Sequence, residues 1–404
     1  MKRIMAGVLV AGYILVAGFF FPPVTYDPAV SPDAKIPLTE RAVSLNISCV
    51  GDVMVHSVQY NAQYDKATDS YSFADNFQYV KPYIQKADIA LCNVETVFAG
   101  GRLSGYPNFN APDSLAGDLK DTGFDVAIVA NNHMLDQGTK GLIRSIGIIQ
   151  GTGLKTSGAQ IEGGKSYALY TANGVTIGTV SYTYETPKVN GKRTLNGNAI
   201  PKAAFSMIDS FSYTSMEEDL LKIKESIDQA RKAGAEVIIC YFHWGEEYQR
   251  SPNEWQKSMA KAVAAMGVDI IFASHPHVLQ PAEKLINPET GKETAVFYSM
   301  GNFISNQRTE TLNNRYTEQG VIAQVSLSIM KRTGKISDMT MGIQPVWVDR
   351  YKTAKMNYAI IPLDVALSAN PTLSKSGHLR RAEQALADIV KLFGEGYSSS
   401  KNPM

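Results

Sequence analysis

At 404 residues the chain is long enough for one large α/β domain with appendages, or for two ordinary domains. Its 39 basic and 38 acidic side chains leave a formal charge of +1, which supplies no basic surplus for nucleic acid. A hydrophobic content of 44% excludes disorder along the whole length. The 3 cysteines (Cys49, Cys92 and Cys240) are too few for a disulfide-dense scaffold, and each lies in or beside an apolar run, as a small core residue does.

Lys2 and Arg3 precede an uncharged, mostly apolar run from Ile4 to Phe21. As a helix it would be about 27 Å long, close to the hydrocarbon core of a bilayer at about 30 Å. An uncleaved signal anchor and a removed signal peptide are the two readings. No small-residue cleavage site follows the run, which closes on Phe19-Phe20-Phe21-Pro22-Pro23, so an anchor over residues 1–21 is expected. Either way, the basic flank on the short side places the rest outside the cytoplasm. Residues 22–44, with Pro22, Pro23, Pro28, Pro32 and Pro37, read as an extended linker.

From Leu45 short apolar runs alternate with helical stretches, which predicts an α/β fold with a largely parallel sheet. The expected core strands are Ser44–Gly51, Ile89–Cys92, Val126–Ala130, Val175–Tyr182, Val237–Phe242, Ile270–Ala273 and Val296–Ser299. Residues 183–214 show little periodicity and read as a long loop over one end of the sheet, a frequent place for function. Ser215 three residues before Glu218 predicts a capping box opening a helix that ends at Ala233-Gly234. A second helix is expected from Glu254 to Met266. The runs Val321–Ile329 and Met339–Trp347 suggest a strand pair turning near Gly334. The main domain is therefore expected over 45–350, with a C-terminal extension, 351–404, carrying a helix near 379–393.

The residues that carry chemistry stand just past the strand ends. In chain order come Gly51-Asp52-Val53-Met54-Val55-His56, then Asn93-Val94-Glu95, then Asn131-Asn132-His133-Met134-Leu135-Asp136-Gln137-Gly138. Later come His243-Trp244-Gly245-Glu246-Glu247-Tyr248, Ser274-His275-Pro276-His277 and Gly301-Asn302-Phe303. Side chains just beyond the carboxyl ends of parallel strands converge on one crevice. Five of the 6 histidines fall at such ends. Carboxylate, imidazole and amide oxygen together suit Zn²⁺, Mn²⁺ or Fe rather than Ca²⁺. Taken singly each residue has a plainer role: Asp52 as a helix cap, Glu95 as a surface acid, Asn132 as a turn residue, His56 packed at a helix start. Trp244 and Tyr248 suit core or rim, and His378, in a polar segment, reads as a solvated helix residue.

This ordered series of blocks, over about residues 46 to 307, resembles the CapA family of poly-γ-glutamate capsule proteins. The resemblance implies the calcineurin-like metallophosphatase fold, a two-layered β-sandwich flanked by helices and holding one or two divalent metal ions. It places Asp52, Glu95, Asn132, His243, His275 and His277 at ligand positions. It also implies that His133 serves as general acid, a task that suits the ordinary histidine pKa of about 6.5. Asp136, three residues on, is placed to accept the other ring N–H if the chain turns into a helix there; its plainer role is to shape a turn with Gly138. Two departures stand out: Met54 occupies the place where metallophosphatases carry a histidine, and Glu95 stands where they carry a bridging aspartate. A mononuclear or vestigial site therefore stays open unless His56 compensates. The expected function is an extracytoplasmic, membrane-anchored role in capsule biosynthesis or export, with metal-dependent hydrolysis of a phosphoester or amide bond. The rivals are a non-catalytic polymer-binding or export subunit, and a metallophosphoesterase unrelated to capsule. The partners implied are the anionic polymer and capsule synthase subunits. Lys188, Lys192 and Arg193, in the long loop, either attract that polymer or are ordinary exposed bases.

Overall fold

The computed structural model describes residues 41–161, 164–165, 167–364 and 367–394. The Ile4–Phe21 run and nearly all of the 22–44 segment lie outside them. No helix among the described residues is long and apolar enough to cross a membrane.

Two mixed sheets stack face to face. The first has the strand order Met356–Pro362, Lys335–Lys352, Gln319–Met330, Ala42–Val53, Ile89–Val94, Val126–Ile128, Lys155–Ser157, with Asn302–Ile304 also pairing to the Ala42–Val53 strand. The second runs Ser210–Phe211, Val175–Tyr184, Val237–His243, Ile270–Ser274, Glu293–Met300, Leu279–Ile286, with Tyr167–Ala172 on the Val175–Tyr184 strand. Period-2 alternation sorts the side chains of both sheets. Leu45, Ile47, Cys49, Ile89 and Leu91 of the first sheet meet Ile177, Val237, Ile239, Tyr241, Ile270 and Phe272 of the second in one core between them. The alternate residues Val50, Ala90 and Cys92 face outward under the helices Ser114–Thr122 and Gly138–Gly151. On the other side Ile238, Cys240, Phe242 and Ile271 lie under Met216–Lys232 and Glu254–Ala265. Two helical layers thus enclose two sheets. Cys49, Cys92 and Cys240 are free and buried.

Several expectations are corrected. The first strand begins at Ala42, so residues 42–44 belong to the sheet rather than to a linker. Residues 183–214 are not a bare loop: Thr186–Val189, Lys192–Leu195 and Asn198–Ala199 form a three-stranded antiparallel flap. Its two-residue turns are Asn190-Gly191 and Asn196-Gly197, all four residues at positive φ, the type I′ signature of a tight hairpin. The helix after Ser215 forms without the expected box. Ser215 Oγ instead donates at 2.9 Å to Asp219 Oδ2, which also accepts the Ser212 N–H, and Glu218 faces solvent. The Val126 strand stops at Ile128, and the Glu254 helix at Ala265.

At the C-terminal end the Lys335–Lys352 strand runs through position 350 and pairs with Met356–Pro362. Ala382, Ala385, Ile389 and Phe393 of the last helix, Leu379–Phe393, join the core between the sheets. His378 at its start is not simply solvated: its Nδ1 lies 2.7 Å from the buried Asp349 Oδ1.

Candidate metal centre

The parallel registers bring the polar residues together. Asp52 is level with Asn93 on one neighbouring strand and with Asn302 on the other. In the second sheet His243 is level with Thr183 and Ser274. Both sheets therefore end in polar side chains at the same edge of the sandwich. Gly51 permits the approach, since a Cβ there would lie 1.9 Å from the Gly301 carbonyl oxygen.

Asp52 joins the two sheets. Its Oδ1 accepts from Asn93 Nδ2 at 2.8 Å and from the Ser274 hydroxyl, and its Oδ2 lies 3.0 Å from His277 Nδ1. Burial alone would raise its pKa; the His277 hydrogen bond, the charges of His277 and His243, and Ser274 reverse that and hold it well below the carboxylate range. Asn302 Oδ1, 3.2 Å from His277 Nδ1, completes the shell of that ring.

Glu95 is the opposite case. It is fully buried, yet neither carboxylate oxygen is hydrogen-bonded. Its Oε1 is 3.4 Å from His243 Nε2, 3.9 Å from His277 Nε2 and 4.0 Å from His133 Nε2. Burial, then the charge of Asp52, pushes its pKa well up. Burial pushes His243 down to about 3 and, with His243 and His277 beside it, His275 well below its ordinary value. His275 Nδ1 also lacks a partner. Two triads result, Asp52–Glu95–His277 and Glu95–His243–His275, with ligand atoms within 4.8 Å of one another in each and Glu95 shared. Asn132 Oδ1, 2.8 Å from His243 Nε2, stands beside the second. All six residues that the sequence offers as ligands are gathered here.

These residues fit divalent cations. A buried carboxylate without a donor and an imidazole nitrogen without a partner cost free energy unless something positive lies between them. The mixed oxygen and nitrogen set suits Zn²⁺, Mn²⁺ or Fe²⁺. His275, His277 and Tyr248 have φ of 109°, 56° and 67°, strained values of the kind that cluster at functional sites.

His56 does not take the place of the missing histidine. It caps the Ser57–Gln63 helix, its Nδ1 lies 3.2 Å from Gln59 Oε1, and it belongs to neither triad. Met54 is buried. His133 lies beside the triads, its Nδ1 2.7 Å from Asp136 Oδ2. Trp244 is core, its Nε1 donating to the Tyr298 carbonyl at 2.9 Å. Arg193 is occupied, its Nε donating to Glu185 at 2.8 Å; Lys188 and Lys192 are exposed.

Sequence reasoning gave the supporting residues no role, although Asn93, Ser274 and Asn302 stand in the strand-end blocks. Asn93 was readable, since it precedes Glu95 by two on the same strand end. Ser274 directly precedes His275. Tyr184, whose ring lies 4.5 Å from that of His275, and Asn196 of the flap carried no such signal.

The family model described as bacterial capsule synthesis protein PGA_cap matches residues 46–307. The chain belongs to this family. It is 28% identical over 285 residues to a protein of Bacillus anthracis named capsule biosynthesis protein CapA, covering 68% of this chain and 63% of that one. It is 30% identical over 272 residues to a protein of Bacillus subtilis named PGA biosynthesis protein CapA, covering 65% and 64%. The match thus spans less than two thirds of either relative. Among solved structures, a calcineurin-like phosphoesterase of Bacillus subtilis, YfkN, is 14% identical, covering 86% of this chain and 100% of that one with a TM-score of 0.42. A phosphatase of Mycoplasma pneumoniae is 15% identical, covering 76% and 95%, with a TM-score of 0.41.

Proposed function

We propose that this capsule-family protein is a membrane-anchored, extracytoplasmic metal-dependent hydrolase acting on a phosphoester or amide bond during capsule polymer biogenesis. The observation that carries the reading is the buried, unpaired Glu95 carboxylate shared by two triads. Asp52 and His277 would hold one ion with Glu95, and His243, His275 and Asn132 the other. Divalent ions in such a site polarise a phosphoryl or acyl oxygen and make water a nucleophile at neutral pH. Ser274 and Asn93 keep Asp52 aimed, and Asn302 keeps the His277 ring turned. His133, its Nδ1–H held by Asp136, presents Nε2 toward Glu95, and once that nitrogen has also taken up a proton it can hand it to a leaving group.

A second reading has its own support: Met54 leaves the Asp52 triad without a further imidazole, which favours a centre with one weakly held ion and a polymer-binding or export role. Metal analysis of protein purified without chelators separates them. About two transition-metal ions per chain support the hydrolase, about one favours the binding role, and none, with no rise in melting temperature on adding Zn²⁺ or Mn²⁺, overturns both.

The anchor rests on the Lys2-Arg3 flank and the Ile4–Phe21 run. Full-length protein should sediment with membranes. A mature chain in the medium beginning near residue 25 would mean a cleaved signal peptide.

A further inference from the structure

The flap reaches the His133–Asp136 pair through one side chain. Asn196, at φ 47° in the second Asn-Gly turn, donates from Nδ2 to Asp136 Oδ1 at 2.9 Å and to the Pro107 carbonyl at 2.8 Å. These two acceptors use both amide protons, and the same Nδ2 also lies 3.2 Å from His133 Nδ1, so Asn196 stands against the ring as well as the carboxylate. Asp136 Oδ2 accepts from the Phe109 N–H at 2.7 Å and faces His133 Nδ1. Among the described residues no other donor reaches Oδ1. Because Asp136 can only accept, the proton on that side of the imidazole sits on Nδ1, and Nε2 is left facing Glu95. The Phe109 ring, edge-on to His133 with centroids 4.7 Å apart, closes the remaining side. A second tie, Asn198 Nδ2 to Asn108 Oδ1 at 3.1 Å, holds the flap to the same 107–109 segment.

We propose that Asn196 is a positioning residue: it locks the Asp136 carboxylate in the one orientation that aims His133 at the metal centre, so the flap is part of the reaction machinery. This rests on the hydrolase reading of that centre. The turn itself needs only a residue tolerant of positive φ, so a glycine or aspartate would serve it equally well. Asn190, in the other Asn-Gly turn at φ 50° and exposed, provides the internal control.

The test compares full-length wild type with N196G, N196D and N190G, using bis(p-nitrophenyl) phosphate as probe. Bound metal is measured, and the His133 nitrogens are followed by NMR in the Zn²⁺-loaded protein. The Asn196 variants should keep their metal and hold KM within about twofold while kcat falls about 10–100-fold, the usual effect of losing such a supporting partner. N190G should match wild type. Undiminished kcat in both Asn196 variants, or an equal loss in N190G, overturns the proposal. If wild type does not turn over the probe, the hydrolase reading suffers and the spectra decide this one. A single Nδ1–H tautomer in wild type with a mixture in N196D upholds positioning; identical spectra overturn it.

Discussion

Glu95 and Glu318 are both buried acids, at 0% and 2% exposure, yet their surroundings differ completely. Glu318 accepts from Thr309 N and Oγ1 at 2.9 Å, from Trp347 Nε1 at 3.1 Å, and from Arg381 Nη2 at 2.8 and 2.9 Å. Arg308, also buried, stands 3.4 Å away. Its charge is met by permanent cations of the chain. Glu95 accepts nothing, and two of the rings around it, His243 and His275, are held neutral by burial. A carboxylate that the fold satisfies binds the last helix to the sandwich. One that the fold leaves unsatisfied has the chemistry to receive a cation from outside.

The largest expected effect tests that contrast at Glu95 itself. Replacing it with Gln removes the negative charge and one of the two carboxylate oxygens where both triads meet, so bound metal should fall below about a tenth of wild type, with turnover lost. Without metal the order reverses. Apo Glu95→Gln should be more stable than apo wild type by about 1–3 kcal/mol, the cost of an unsatisfied buried polar group. Differential scanning calorimetry with and without EDTA reads both arms. If the apo variant is the less stable protein, Glu95 already has its partners inside the fold and the comparison fails.

His133→Gln should do something narrower. His133 is a member of neither triad, so metal content and melting temperature should stay near wild type while turnover drops roughly 10²–10⁴-fold, as general acid loss does. Loss of metal instead would move His133 into the ligand set.

How legible each part was in the sequence depends on where its residues lie. The six ligand candidates were legible because strand ends are marked by apolar runs, and five of the 6 histidines fall at or just past the ends of such runs. The sandwich was less so. Leu279–Ile286 carries Gln280, Glu283 and Lys284 on an edge, and reads from its residues alone as a connection. The flap was the clearest avoidable omission, since Asn190-Gly191 and Asn196-Gly197 are strong hairpin signals. That Asn196 would reach Asp136 was not readable, because no local pattern encodes a contact across 60 residues. The Ser215–Glu218 spacing misled for a related reason: Asp219, one residue further on, competes for the same hydroxyl.

The smallest expected effect is on the satisfied side. Arg381→Ala removes one cation from Glu318 but leaves Arg308, Trp347 and Thr309 in place. The loss should be about 1–2 kcal/mol rather than the roughly 3–5 of a fully buried pair broken outright, because the Arg381 side chain is 33% exposed. Metal content and turnover should not change. Acid supplies a second readout. Burial would raise the pKa of Glu310, but its own backbone N–H, the Arg381 hydrogen bond and the Arg308 charge lower it to about 2. A carboxyl depressed on folding contributes stability above its unfolded pKa of about 4.3 and loses it as pH falls toward the folded value. Removing Arg381 takes away part of that depression. The urea midpoint of Arg381→Ala should therefore fall less steeply than that of wild type between about pH 5 and pH 2.5. Parallel profiles would mean that Arg308 and the backbone alone set the Glu310 pKa, and that the last helix is held by its apolar face rather than by its charges.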